Sequence, residues 1–281
     1  MRVAIFGASG FIGKHLAAAL GARHDEVVTG SLRNPQEASA LAARCDAIVN
    51  LAGEPVAQRW SHEVKQKIEA SRTSLPREMM DALATHEARP STYVSASAIG
   101  FYGSSETTTF TEESLAGDDF LARVCVRWEE QAYRARELGM RVACIRTGLV
   151  LGKDGGALKT ILPPFKAGLG GKLASGKQWH SWIHIDDVVG IYLLALDREQ
   201  GALNATAPNP VRNSEFTKVI ARVLHRPAFV PVPAAAIKAV LGEAAPVVTE
   251  GQRVLPRRVL AEGFVFRYPH LEGALQAVLG V

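Results

Sequence analysis

The 281-residue chain is long enough for about two domains, and with 47% apolar and 21% charged residues it carries a large core and is not a disordered chain. Its 32 Lys and Arg are interspersed with 28 Asp and Glu, giving +4, without the clustered basic surface of a nucleic-acid binder. Cys45, Cys125 and Cys144 have no paired spacing and exclude a disulfide scaffold, and apolar runs such as 191–196 fall far short of the roughly 18 residues that cross a bilayer. A cytoplasmic protein acting on a small molecule, as a monomer or homodimer, is the expectation.

Arg2-Val-Ala-Ile-Phe6 is a run of strand formers ending in a Gly-rich turn, Gly7-Ala-Ser-Gly10-Phe-Ile-Gly13. Ile12, Leu16, Ala19 and Leu20 then recur at helical spacing, and Glu26-Val-Val-Thr29 reads as a second strand. Asp46 to Ala52 is a strand, and Ser61 to Thr85 a helix broken near Pro76. Thr92 to Ser95, Asp118 to Leu138 and Arg141 to Arg146 read as strand, helix and strand. Such alternation predicts a parallel α/β sheet covered on both faces. After Val150 the chain becomes rich in Gly, then orders again at Ser181-Trp-Ile-His-Ile-Asp-Asp187, where Asp186 or Asp187 can cap a following helix. A main domain over 1–154, with 183–206 returning to it, and a smaller lobe from 155–182 and 207–281 are expected.

The glycine turn lies between a strand and a helix, where small residues permit close backbone approach and the helix start offers free N–H groups to a pyrophosphate. An NAD site places an acid at the end of the second strand to hold the ribose 2′-hydroxyl. Here that end reads Thr29-Gly-Ser-Leu-Arg33, and Asp25 and Glu26 sit at the strand's other end. Arg33 can face a 2′-phosphate instead, which points to NADP; the alternative is a solvated loop arginine. Asn50-Leu51-Ala52-Gly53 ends another strand on the same edge.

These segments resemble the extended short-chain dehydrogenase/reductases, the NAD(P)-dependent epimerase/dehydratase group. They are most similar to an epimerase-family subgroup with a short C-terminal domain of unknown function. Further matching segments are Asn50 to Pro55 with Arg59-Trp60, Ser71-Arg72, Asp119-Phe-Leu with Trp128-Glu129, Arg146 to Gly152, Ser181 to Asp187, Asn204 to Pro208 and Gly251 to Phe266. The resemblance implies a Rossmann-type doubly wound parallel sheet with an interleaved C-terminal substrate lobe. It also implies NADP contacts at Gly7, Ser9, Gly10, Phe11, Ile12, Gly13, Leu32, Arg33, Leu51, Ala52, Gly53, Arg72, Ser95 and Val150.

The superfamily's proton donor is a Tyr whose pKa is lowered by a Lys one helical turn later. No Tyr-x-x-x-Lys occurs here: Leu121 and Cys125 stand at those positions, and Arg72 replaces a usual Asn. Ser97 matches the serine that holds the substrate oxygen, or it satisfies backbone groups in its turn. Tyr102 is the nearest phenol. It either donates a proton, if a cation such as Arg72 lowers its pKa, or covers the pocket floor. Cys125 is a reactive thiol if its surroundings are positive, and otherwise inert packing. His180, His184, Asp186 and Asp187 precede a helix and read as structural rather than metal-binding. Gln178, Trp179, His180 and Trp182 can border the substrate pocket, with Trp60 and Phe101 nearby. An NADP-dependent reductase or epimerase and a non-catalytic NADP-binding protein both remain open.

Overall fold

The computed structural model describes residues 1–281. β1 (Arg2–Phe6) leads through α1 (Phe11–Ala22) to β2 (Glu26–Gly30), and α2 (Pro35–Ala42) to β3 (Ala47–Asn50). The helix expected over 61–85 is two, α3 (His62–Ala70) and α4 (Ser74–Leu83). The break falls at 71–73, and Pro76 sits in the first turn of α4, where its missing N–H would have been unbonded anyway. β4 (Thr92–Ala98) and the short β5 (Thr109–Phe110) precede α5 (Phe120–Tyr133), which Asp119 caps by accepting the Ala122 N–H at 2.8 Å. β6 (Arg141–Thr147), β7 (Leu149–Gly152), β8 (Gly155–Gly156), α6 (Leu158–Lys166), β9 (Trp179–His180) and β10 (Trp182–His184) follow. The remainder is α7 (Ile185–Asp197), β11 (Gly201–Ala205), β12 (Val211–Arg212), α8 (Asn213–Val223), α9 (Ala234–Leu241), α10 (Pro246–Thr249), β13 (Arg253–Val254), α11 (Arg257–Ala261) and α12 (Leu271–Leu279). No helix is long and apolar enough to cross a membrane.

Six strands form one parallel sheet in the order β2-β1-β3-β4-β6-β11, a Rossmann-like α/β arrangement. From β1 the chain moves to one side and then returns to the other, so a crevice opens beyond the carboxyl ends of β1 and β3. The strand alternation divides the core cleanly. Val3 and Ile5 face a layer with Leu16 of α1 and Ile191 of α7, while Ala4 and Phe6 face one with Ala38, Met79 and Ala132 of α2, α4 and α5. A third core gathers Trp182, Leu162, Phe216 and Leu275 between α6, α8 and α12.

The chain crosses between lobes more often than the sequence suggests. β10 pairs with β7 in a separate small sheet, and only β11 enters the main one. The tail does not belong wholly to the small lobe either: Val259 and Phe266 join the core of α1 and α7. Arg258 donates at 2.8 Å to the carbonyls of Gln200 and Ala202, covering the open edge of the sheet at β11. The cap of α7 is His184, whose Nδ1 accepts the Asp186 N–H at 3.1 Å. Asp187 instead accepts the N–H groups of Arg267 and Tyr268 at 2.7 and 3.1 Å, tying the tail to α7.

His180 meets Phe216 edge-on at 4.9 Å, and burial pushes its pKa down to about 4. In the unfolded chain the ring titrates near 6.5. The unfolded state therefore binds the extra proton first, so this contribution to stability is full above about pH 6.5 and is lost as pH falls toward 4. Denaturant midpoints measured across that window should fall less steeply for His180→Gln than for the wild type. Parallel curves would refute the assignment.

Candidate functional site

Gly7 has φ +88°, and a Cβ there would stand 2.8 Å from the Leu51 carbonyl carbon and 2.9 Å from the Ala52 nitrogen. A Cβ at Gly13 would lie 2.4 Å from the Gly7 carbonyl oxygen. The β1–α1 turn is thus pressed against the end of β3, a contact only glycines allow. Gly10 N–H donates to Gly7 and Lys14 N–H to Gly10, both at 3.0 Å, whereas the amides of Phe11, Ile12 and Gly13 find no backbone acceptor. α1 also has no side-chain cap and no acid in its first turn. Three free donors at the positive end of a helix dipole fit a pyrophosphate. Ser9 and Gly10 are exposed beside them.

Phe11 contributes its backbone here, because its ring points away. It covers β7 and β8 so closely that a Cβ at Gly152, Gly155 or Gly156 would come within 2.4, 2.5 or 2.9 Å of it. Val150 is half-buried on the same hairpin. At the end of β2, Leu32 packs into the core beside α2 and Arg33 is exposed, with no carboxylate following the strand. Asp25 lies at the opposite end, bonded to the N-terminal ammonium at 2.7 Å. Ser95 is fully buried and its hydroxyl donates to the Ala96 carbonyl at 2.9 Å, so it has no hydroxyl to offer a ligand.

The carboxyl ends of β4 and β6 are organised by a pair that sequence reasoning assigned no role. Arg146 of β6 grips Glu129 of α5 with Nε and Nη2, both at 2.7 Å, and the two residues are only 5% and 4% exposed. Ser97 donates to Glu129 Oε1 at 2.7 Å. Arg146 Nη1 donates to the Tyr102 hydroxyl at 3.0 Å, and that hydroxyl donates to Asn204 Oδ1 at 2.7 Å. The available signal was Arg146 following the apolar run 142–145 of a central strand, since a buried charge requires a partner.

This network changes the expected chemistry of all three candidates. Ser97 is buried and already spends its proton on Glu129. Burial raises the Tyr102 pKa despite a neighbouring cation, and that cation is Arg146 rather than Arg72. Burial, reinforced by Glu129, pushes the Cys125 thiol up to about 12, leaving it neutral. Arg72 lies beside Gly53, where a Cβ would be 3.0 Å from Nη2, and over the ring of Trp128 at 5.0 Å. The aromatic residues expected around one pocket are dispersed. Trp182 is wholly buried, Trp60 packs on Phe120 at 5.1 Å, Phe101 lies under Arg146, and Trp179 stacks with Arg212 at 3.9 Å.

The model of the NAD dependent epimerase/dehydratase family matches residues 3–206, and that of a domain of unknown function, DUF1731, matches residues 232–278. An Arabidopsis thaliana protein, the chloroplastic homolog of epimerase family protein SDR39U1, is 43% identical over 99% of this chain and 87% of its own. Epimerase family protein YfhF of Bacillus subtilis is 35% identical, covering 99% and 98%. Among solved structures, human epimerase family protein SDR39U1 with NADPH superposes with a TM-score of 0.91 at 34% identity, over 100% of this chain and 99% of that one. A Thermus thermophilus UDP-glucose 4-epimerase complex with NAD shares the fold at a TM-score of 0.82 and 19% identity. The chain belongs to the NAD-dependent epimerase/dehydratase family, in its branch of epimerase family proteins with the DUF1731 tail.

Proposed function

We propose that this chain binds NADP(H) and exchanges a hydride with a small carbonyl or alcohol substrate in the crevice between its lobes. The observation that carries this reading is the α1 start with three unpartnered amides, set in the same crevice as a β2 end that offers Arg33 and no acid. The human relative with NADPH supports it. Pyrophosphate takes the α1 amides, with Leu51, Ala52 and Gly53 lying along the cofactor and Arg33 taking the 2′-phosphate. Arg72 stands in the space vacated by the superfamily lysine. Ser97, whose own proton stays directed at Glu129, orients the substrate oxygen by accepting from its hydroxyl form. Water relays the proton from solvent, because the Tyr102 phenol is engaged by Arg146 and Asn204 and the Cys125 thiol is buried and neutral. Three buried free thiols suit a reducing compartment such as the cytoplasm.

A second reading, a non-catalytic NADP(H)-binding protein, is favoured by one observation. Ser97 and Tyr102, the serine and phenol expected to act, are engaged by Glu129, Arg146 and Asn204. Transfer of deuteride from stereospecifically labelled NADPH to a panel of carbonyl compounds separates the two. The enzyme reading expects turnover that Ser97→Ala lowers about tenfold or more without changing NADPH affinity, as for a lost hydrogen bond near the reacting oxygen. No transfer to any compound favours the binding protein.

The cofactor assignment has its own measurement. Arg33→Ala should weaken NADPH about tenfold or more, the size of a charge-assisted contact, and NADH hardly at all. Equal losses in a binding titration would remove the 2′-phosphate from Arg33.

A further inference from the structure

Two arginines near the reacting end carry their charge in opposite ways. Arg146 commits its Nε–Nη2 edge to a carboxylate, with both contacts at 2.7 Å. In Arg72 that same edge is unspent. Both of its hydrogen bonds come from Nη1, to the Ile68 carbonyl at 3.1 Å and to Ser71 Oγ at 3.2 Å. Glu54, the acid whose charge acts on it, stands outside ion-pair distance, and its Oε1 accepts from Gln58 at 3.1 Å. The plane of the guanidinium is fixed by Trp128 on one face and by Gly53 on its surface, where a Cβ would stand 3.0 Å from Nη2 and 3.1 Å from Cζ.

Arg72 is half-buried with no counter-ion within ion-pair distance, a partial desolvation that a bound anion relieves. The place of Arg72 narrows which anion. It touches Gly53, which continues the Leu51–Ala52 backbone against which Gly7 is pressed, and this puts the guanidinium on the border of the cofactor crevice. It also lies close enough to Cys125, at the position of the absent lysine, for the two to influence each other's ionisation. In the NADP(H) reading, on which this inference rests, pyrophosphate goes to the α1 amides and the 2′-phosphate to Arg33. No cofactor charge is then left for Arg72.

We propose that the Nε–Nη2 edge of Arg72 is a carboxylate subsite, so that the substrate is an acid bearing a carbonyl or hydroxyl group near its carboxylate. Two parallel N–H donors match the two oxygens of a planar carboxylate, as the Arg146–Glu129 pair in the same site illustrates.

Oxamate and its neutral counterpart oxamide test this by calorimetric titration into the full chain saturated with NADPH. Oxamate should bind saturably and oxamide should not. Arg72→Gln should weaken oxamate about tenfold or more, as expected for a lost charge-assisted pair, and by more than it weakens NADPH. Arg72→Lys keeps the charge and most of the volume but loses the planar edge, and should fall between the two. Oxamate binding equal in wild type and Arg72→Gln, or absent from the wild type, overturns the subsite. A large loss of NADPH affinity with both variants overturns it differently, by assigning the edge to the cofactor's pyrophosphate. A wild-type chain that fails to bind NADPH at all defeats the underlying cofactor reading instead, and that result is visible before oxamate is added.

Discussion

A carboxylate and a guanidinium shut away from water, Glu129 and Arg146, set the terms for everything at the carboxyl ends of β4 and β6. Neither can be left alone at that depth: removing one partner of such a pair typically destabilises a protein by about 3–5 kcal/mol. Each is therefore surrounded by groups that complete its hydrogen bonds. Ser97 of β4 serves the carboxylate and Tyr102 serves the guanidinium. Asn204 of β11 passes the chain of contacts on to the tail by donating to the Leu255 carbonyl at 3.0 Å. The side chains best placed for acid–base work are thus also the ones that hold β4, α5, β6 and the C-terminal segment in register. Their protons are committed to structure.

The parts of the molecule that were legible in the sequence are those dictated by local chemistry. The alternation of strands and helices follows from apolar periodicity, and β1, β3 and β6 lie where their runs of Val, Ile and Ala demand. The glycine turn is readable because its spacing between strand and helix has a steric meaning, and the contacts at Gly7 and Gly13 supply it. What was not legible depends on partners distant in the chain. Glu129 looks like an ordinary helix acid until Arg146 is placed beside it. The capping of α7 by His184 rather than an aspartate follows from Asp187 being drawn to amides 80 residues further on.

The same distinction explains the lobe boundaries. A composition shift marks where glycine becomes frequent, but not which surface a later apolar residue will cover. Val259 and Phe266 lie in a tail that otherwise reads as part of the small lobe, yet they are needed under the main sheet. The edge strand β11 has open carbonyls that α11 is in position to satisfy through Arg258. The tail is thus a covering of the main sheet through α11 and Phe266 as well as of the α6–α8 core through α12.

The ring of Phe11 joins the start of the cofactor-facing helix to the hairpin through which the chain passes from the main sheet into α6. One aromatic side chain occupies the volume that three side chains would need at Gly152, Gly155 and Gly156. At Gly156 the Val150 carbonyl oxygen, 2.5 Å from the Cβ position, and φ +65° exclude a side chain whatever stands at residue 11. Phe11, Gly152 and Gly155 therefore form a compensating set: Gly152 or Gly155 can gain a side chain only after residue 11 becomes smaller, and a smaller residue 11 leaves a void that invites such a gain. Variation at the phosphate turn is bound to variation about 140 residues away by shape alone, without any change in charge or hydrogen bonding.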